Sequence, residues 1–402
     1  MQLTPNKQAE LHRALQDAME DHALAAAMPD LEPLAGTPPL PASLIEDEAL
    51  HVVRHKDSGC VQLVFPGEMP GPPSPTLAPQ GWDWIVQASL RATERMTQAM
   101  ISRIEAHSKP EQLLALNRGH GRPVMPEDLA AARGRKVLLL VHGIFSSTEG
   151  GFGDLDLQPL LQRYQGRVFG YDHWTIAKTP QQNALNLLQR LPADAGWEVD
   201  ILCHSRGGLV VRSLLTGGLA DIVQARSGRI ARIGKVMFIG AANQGSPLAS
   251  PGEIKQFLNV AAMLASFSHG MGLDVVIGLA RMVVSLGFAR PSVQALTSGS
   301  SLIAQLNRSG SLLNDANCYY ARANFAYGDS LLEHTGALLS HALLDGASDL
   351  IVPYSSVLLP QATPDAAHIL NFGSAEQKQN DVWHTEFFQH PATRDFILRQ
   401  LG

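Results

Sequence analysis

Along this chain the rhythm of apolar positions changes near residue 135. Upstream, apolar residues recur at helical or alternating spacing between proline-rich pieces; downstream they gather into short unbroken runs. In residues 8–28, Leu11, Leu15, Met19 and Leu24 fall roughly on one face, which predicts a helix. Residues 29–41 are proline-rich and read as a loop or linker. His51–Val53 and Cys60–Phe65 have strand character, with Lys56-Asp57-Ser58-Gly59 turning between them. After a second proline-rich piece, Trp82, Ile85, Val86, Leu90, Met96, Met100 and Ile104 lie near helical spacing. They predict a long amphipathic helix to about His107. Residues 1–130 show no chemical constellation and read as an accessory segment of helices plus a short hairpin.

Downstream, KVLLLV at Lys136–Val141 has no alternation, as expected of a strand buried on both faces of a parallel sheet. Further strands are predicted at Arg167–Tyr171, Val199–Cys203, Lys235–Gly240 and Tyr319–Ala326, and helices at Gln181–Leu191 and Gly208–Leu215. This alternation predicts an α/β fold over residues 131–402, a mostly parallel sheet flanked by helices. Roughly 80 residues separate the last two of those strands, which is long for a plain connection. Their middle, Glu253–Phe288, is apolar and helical in pattern. It reads either as a cap over a site or as ordinary core helices.

Composition narrows the function classes. The 402 residues are 45% hydrophobic and 17% charged, with a formal charge of -6. No Lys/Arg run supplies a basic surface, which argues against a nucleic-acid partner. Cys60, Cys203 and Cys318 have no C-x-x-C spacing, so neither a disulfide framework nor a zinc site is expected. The N-terminal residues lack the basic-then-apolar order of a signal peptide. The most apolar stretch, Met271–Ala289, contains Asp274 and Arg281, which opposes a transmembrane span. The expectation is a soluble, cytoplasmic protein.

Candidate chemistry centres on LCHSRGG at 202–208, between a predicted strand and a predicted helix. A serine hydroxyl needs an adjacent base, held in turn by a carboxylate, to become a nucleophile. A sharp strand-to-helix turn exposes such a serine, and the crowding there demands small residues two before and two after it. Gly207 meets that need, and Cys203 adds only one heavy atom beyond Cβ. Ser205 is therefore the candidate nucleophile, and the N–H of Arg206 a candidate oxyanion donor. A second donor is expected on the loop after an early strand, where His142-Gly143 places the N–H of Ile144. The acid and base should follow the serine in that order. Asp349 in GASDLIVPYSSV directly precedes a short strand-like apolar piece; Asp345 and Asp329 compete with it. His384 in DVWHTEFFQHP precedes the terminal helical segment; His390 and His368 are the alternatives. Tyr171-Asp172-His173-Trp174 follows a predicted strand, and pocket lining or structural hydrogen bonding is expected of it rather than metal binding. No cofactor and no metal is called for.

Taken together, VHGIF, CHSRGGLVVR, GAANQGSPLA, SDLIVP and HTEFF resemble the lipase-like branch of the α/β-hydrolase superfamily, over roughly residues 135–402. HGIFSSTEGGFGDL, YDHWTI and HSRGGLVVR are similar to an uncharacterised bacterial group of such domains. The resemblance implies Ser205 as nucleophile, Asp349 as acid, His384 as base, Ile144 and Arg206 as oxyanion donors, and a cap over about residues 251–309. Two positions depart from the usual pattern. Cys203 replaces the first elbow glycine, and Arg206 sets a long cation beside the serine, either paired with a carboxylate elsewhere or shaping substrate entry. The leading expectation is hydrolysis of a small-molecule or lipid ester. An acyltransferase with the same residues and a non-catalytic binding module stay open.

Overall fold

The computed structural model describes residues 110–117, 120–144, 146–246, 294–313, 315–325 and 346–402, together with the backbone of four strands between residues 32 and 89. The helix expected at 8–28, most of the expected cap, Asp329 and Asp345 lie outside these residues. The chain divides into two compact units. One comprises Met1–Ser108, Pro251–Arg290 and Tyr327–Leu343, the other Lys109–Ser250, Pro291–Ala326 and Leu344–Gly402.

In the first unit, β1 (Glu32–Pro33), β2 (Ala49–His55), β3 (Val61–Val64) and β4 (Trp82–Ser89) form an antiparallel sheet in the order β1-β4-β2-β3. The hairpin expected from residues 51–65 is present, with His51 opposite Val64. The helix expected from Trp82 to about His107 is absent over its first part, since residues 82–89 are a strand paired to both β1 and β2; residues 90–107 lie outside the described residues. WDWIVQAS places Trp82, Trp84 and Val86 at period two as well as near helical spacing. A short apolar run of this kind fits both patterns, and pairing with two neighbours decides it.

The second unit is built on an eight-stranded sheet. Its strands are β5 (Gln112–Asn117), β6 (His120–Pro123), β7 (Lys136–Val141), β8 (Val168–Asp172), β9 (Trp197–His204), β10 (Ile230–Ile239), β11 (Cys318–Ala323) and β12 (Ile369–Phe372). The order across the sheet is β12-β11-β10-β9-β7-β8-β5-β6. All neighbours are parallel except at one edge, where β5 runs antiparallel to both β8 and β6. The sheet thus begins at Gln112, ahead of the change in sequence rhythm. β5 has only the four apolar residues Leu113–Leu116 between polar ends, and β6 is four residues with Gly121 and Pro123, so neither stands out in the sequence.

Helices α1 (Pro126–Ala132), α2 (Thr148–Phe152), α3 (Gln158–Arg163), α4 (Pro180–Gln189), α5 (Gly207–Leu215), α6 (Ala220–Arg226), α7 (Ser301–Arg308) and α8 (Pro391–Leu401) complete the unit. On one side, Leu138, Leu140, Leu202, Met237 and Ile239 pack with Phe152 and Leu160 and with Phe396 and Ile397 of α8. The alternate residues Val137, Leu139 and Val141 are also buried, and α5 lies against β7 and β9. Burial on both faces is why β7 reads as an unbroken apolar run. α7 closes the span expected as a cap, yet it belongs to the sheet unit: Leu302, Ile303 and Leu306 are buried, and Arg212 Nη2 donates to Asn307 Oδ1 at 2.6 Å. No helix among the described residues is long and apolar enough to cross a membrane. β7, β9 and β10 all deliver their carboxyl ends to one edge of the sheet, where sites of open α/β sheets form.

Candidate active site

The turn from β9 into α5 sets the geometry. Ser205 has φ +55°, a left-handed conformation that costs a non-glycine residue on the order of 1–3 kcal/mol. Hydrogen bonds hold it there. Its N–H donates to Ile239 O at 3.3 Å, and its carbonyl accepts from Gly208 N and Ala242 N, each at 3.1 Å. Gly207 is required by close approach, since a Cβ there would lie 2.4 Å from Val141 O. Cys203 sits in regular strand pairing opposite Phe238 and Val141, fully buried, with its Sγ 3.3 Å from Met237 O. That position demands a small side chain rather than the backbone freedom of glycine. Burial pushes the Cys203 thiol pKa well up, with the neighbouring Cys318 adding to the effect.

Ser205, His384 and Asp349 meet at this edge. His384 Nε2 is 2.9 Å from Ser205 Oγ, and His384 Nδ1 is 2.8 Å from Asp349 Oδ2. A carboxylate only accepts, so Nδ1 carries the proton and Nε2 is left to accept from the serine hydroxyl. All three side chains are nearly buried. The residues after Asp349 are not the strand-like piece expected. Leu350 has φ +83°, and the N–H groups of Ile351 and Val352 turn back onto Asp349 Oδ1 at 3.1 and 2.7 Å. These N–H groups bond the carboxylate instead of a neighbouring strand, and one carboxyl oxygen is thereby fixed while the other faces His384.

The segment after β10 braces this acid loop. Asn243 Nδ2 donates to Val357 O at 2.7 Å, Ser246 Oγ to Ile351 O at 2.6 Å, and Ser356 Oγ to Gly245 O at 2.5 Å. GAANQGSPLA was legible as a motif, but not as the support of Asp349. His204 was not singled out at all, and its Nε2 lies 2.9 Å from the backbone carbonyl of His384.

The loop after β7 lies directly against the serine. A Cβ on Gly143 would stand 2.7 Å from Ser205 Cβ and 3.2 Å from its Oγ. Ile144 follows in that loop, and Arg206 follows the serine as the N-cap of α5. The histidine before Gly143 is structural. Its Nε2 accepts from His173 N at 3.2 Å, its Nδ1 reaches Gly143 O at 2.8 Å, and its ring stacks on His173 at 4.0 Å. Asp172 Oδ1 accepts from Thr148 N at 2.7 Å, at the start of α2. The Tyr171–Trp174 stretch thus does structural hydrogen bonding. Among the described residues no group of three or more His, Cys, Asp or Glu could hold a metal ion.

The Arg206 side chain is fully buried, not exposed at the edge of the site, and its Nη2 donates to Lys178 O at 2.5 Å. Lys178 Nζ in turn reaches Glu111 Oε2 at 2.5 Å, and Tyr171 OH donates to Glu111 Oε1 at 2.7 Å. Burial alone would raise the Glu111 pKa, but hydrogen bonds from Lys178 and Tyr171 and the Lys178 charge outweigh it and lower it. The long cation beside the serine is therefore tied into the loop leading to α4. Of the alternative histidines, His390 caps α8 by accepting from Ala392 N, and His368 packs on Tyr319. Neither is at the serine.

A mostly parallel sheet with helices on both faces, turning from strand to helix through a serine at positive φ, is the α/β-hydrolase fold. Residues 106–402 match the family model described as Domain of unknown function (DUF7379), and the chain belongs to that family. No curated protein matches it. Among solved structures it is similar to the mature lipase BlEst2 of Bacillus licheniformis, at 19% identity over 71% of this chain and 99% of that one, TM-score 0.41. It is similar to phospholipase PlaB of Legionella pneumophila at 16% identity, over 66% of this chain and 60% of that one, TM-score 0.41. Lipase 1 of Pelosinus fermentans aligns at 12% identity over 66% of this chain and 97% of that one, TM-score 0.44.

Proposed function

We propose that this chain is a serine hydrolase that cleaves carboxylic esters. The observation that carries the reading is the continuous run of hydrogen bonds from Ser205 Oγ through His384 to Asp349. Ser205 Oγ attacks the ester carbonyl as His384 Nε2 takes its proton. Asp349 stabilises the imidazolium, already oriented by its Nδ1–H. The N–H groups of Ile144 and Arg206 hold the oxyanion, worth about 3 kcal/mol each in comparable sites. The tetrahedral intermediate collapses, and His384 returns the proton to the departing alcohol. Water then attacks the acyl-enzyme with His384 again as base, releasing the acid and restoring Ser205. The apolar sequence of residues 253–288 supports a cap and a substrate with an acyl chain.

The test is Ser205→Ala against the parent, with p-nitrophenyl esters of graded chain length and a fluorophosphonate probe. The parent should release p-nitrophenol and be labelled at Ser205. The variant should do neither, with activity down more than about 1000-fold. A folded parent that neither labels nor cleaves any ester would overturn the reading. Transfer of the acyl group to added alcohols in preference to water would replace hydrolase with acyltransferase.

A further inference from the structure

We infer that His204 is a positioning residue that fixes the main chain of His384 and so sets the distance between nucleophile and base. The inference rests on the reading of Ser205 and His384 given above. A catalytic imidazole needs two things held: the orientation of its ring and the location of its Cα. Asp349 Oδ2 orients the ring. The Cα is the harder problem, because His384 lies on a loop between β12 and α8 with no strand pairing of its own. Two backbone hydrogen bonds hold it. Its N–H donates to Asp349 O at 3.1 Å, and its carbonyl accepts from His204 Nε2 at 2.9 Å.

His204 is the residue before the nucleophile. It is the last residue of β9, in parallel register opposite Ile239, so its Cα is fixed by the sheet. Its ring is buried against His384 at 4.8 Å and meets Phe388 and Phe387 edge-on at 5.6 and 6.4 Å. A carbonyl accepts and cannot donate, which places the proton on His204 Nε2. Burial, with the nearby His384 assisting, lowers the His204 pKa to about 3, so the ring stays neutral in ordinary buffers. Consecutive residues at the end of one strand thus hold the base at both ends: His204 grips its backbone and Ser205 its ring nitrogen. A phenylalanine would fill this aromatic nest equally well. The polar ring needs the His384 carbonyl to offset its own burial.

His204→Phe keeps the ring and removes the donor; His204→Gln returns an amide donor near the same place. The expected result in His204→Phe is kcat lower by about 10- to 100-fold with KM within about threefold, and recovery of most of kcat in His204→Gln. A loss by general destabilisation would not be rescued in this way. Nitrogen NMR of the His384 imidazole, assigned by its loss in His384→Gln, supplies a readout independent of turnover. The parent and His204→Gln should show one Nδ1-protonated tautomer, and His204→Phe a mixed or exchange-broadened signal. An unchanged imidazole signal and unchanged kcat in His204→Phe would overturn the inference while leaving the proposed function standing. A parent that cleaves no ester, but whose His384 signal still depends on His204, would overturn the function and leave the positioning role intact.

Discussion

β9 carries buried polar chemistry in its first half and at its carboxyl end, and the two places behave differently. In the first half, Asp200 is 1% exposed. It accepts from Tyr164 OH at 2.5 Å and from Lys235 N at 2.7 Å, and forms an ion pair with Lys136 Nζ at 2.9 Å. At the carboxyl end, Ser205 faces His384 and, through it, Asp349, which is also 1% exposed. Each carboxylate has polar partners on both of its oxygens. The two hydrogen-bond donors on Asp200 hold their protons: one is the Lys235 backbone amide, and the other is Tyr164, whose pKa burial and the adjacent Asp200 push up far above its usual value. Asp349 gives one oxygen to two backbone N–H groups and the other to an imidazole that can pass a proton on. Burial of a carboxylate marks a rigid spot in either case. The partner's ability to exchange a proton is what separates a brace from a candidate site.

Asparagine at each carboxylate tests the contrast most directly. Asp349→Asn should lower ester hydrolysis about ten-thousandfold with little loss of stability, because the wrong imidazole tautomer is then favoured. Asp200→Asn should leave kcat/KM within about threefold, but lower stability by roughly 2–3 kcal/mol as a buried network loses its charge. Paired activity assays and denaturant melts read both, and equal loss of activity in the two variants would erase the distinction. Gly143→Ala comes next. Its methyl would press on Ser205, so activity should fall about 100-fold and stability by about 1–3 kcal/mol.

The acid limb of stability is a smaller effect. His204 titrates at about 3 when folded, against 6.5 as its ordinary value. The stability that comes from keeping it neutral is complete above about pH 6.5 and is lost as pH falls toward 3, because the unfolded chain takes up the proton first. His204→Gln should therefore show a shallower fall in melting temperature between those pH values; an identical slope would mean that other groups set it. Smallest of all, Cys203→Ala should keep kcat within about twofold, since the position needs smallness alone. A large loss would mean that the sulfur contact with Met237 O supports the turn.

Much of this was legible in short stretches. LCHSRGG, SDLIVP and WHTEFF each marked one residue of the constellation, because strand ends and tight turns impose local demands on residue size and type. The buried strands were legible for the same reason, since burial on both faces leaves an unbroken apolar run. What failed was ambiguous or non-local. Trp82–Ser89 fits two periodicities, and pairing with β1 and β2 chose the strand. Ile351 and Val352 read as strand, but their amides bond the carboxylate of Asp349. The burial of Arg206 depended on Lys178, and the role of His204 on a carbonyl 180 positions away.

By itself, then, the sequence determined the α/β class, the strands at the centre of the sheet and the residue types able to do nucleophilic chemistry, because each follows from side-chain size, polarity and spacing within a few neighbours. Only the tertiary structure decided which partners those residues have. It brought Asp349, His384 and Ser205 within hydrogen-bond reach, turned Arg206 into the interior and set His204 on the backbone of His384. Those are distances between segments far apart in the chain, and they are settled by how the sheet orders its strands and where its loops return.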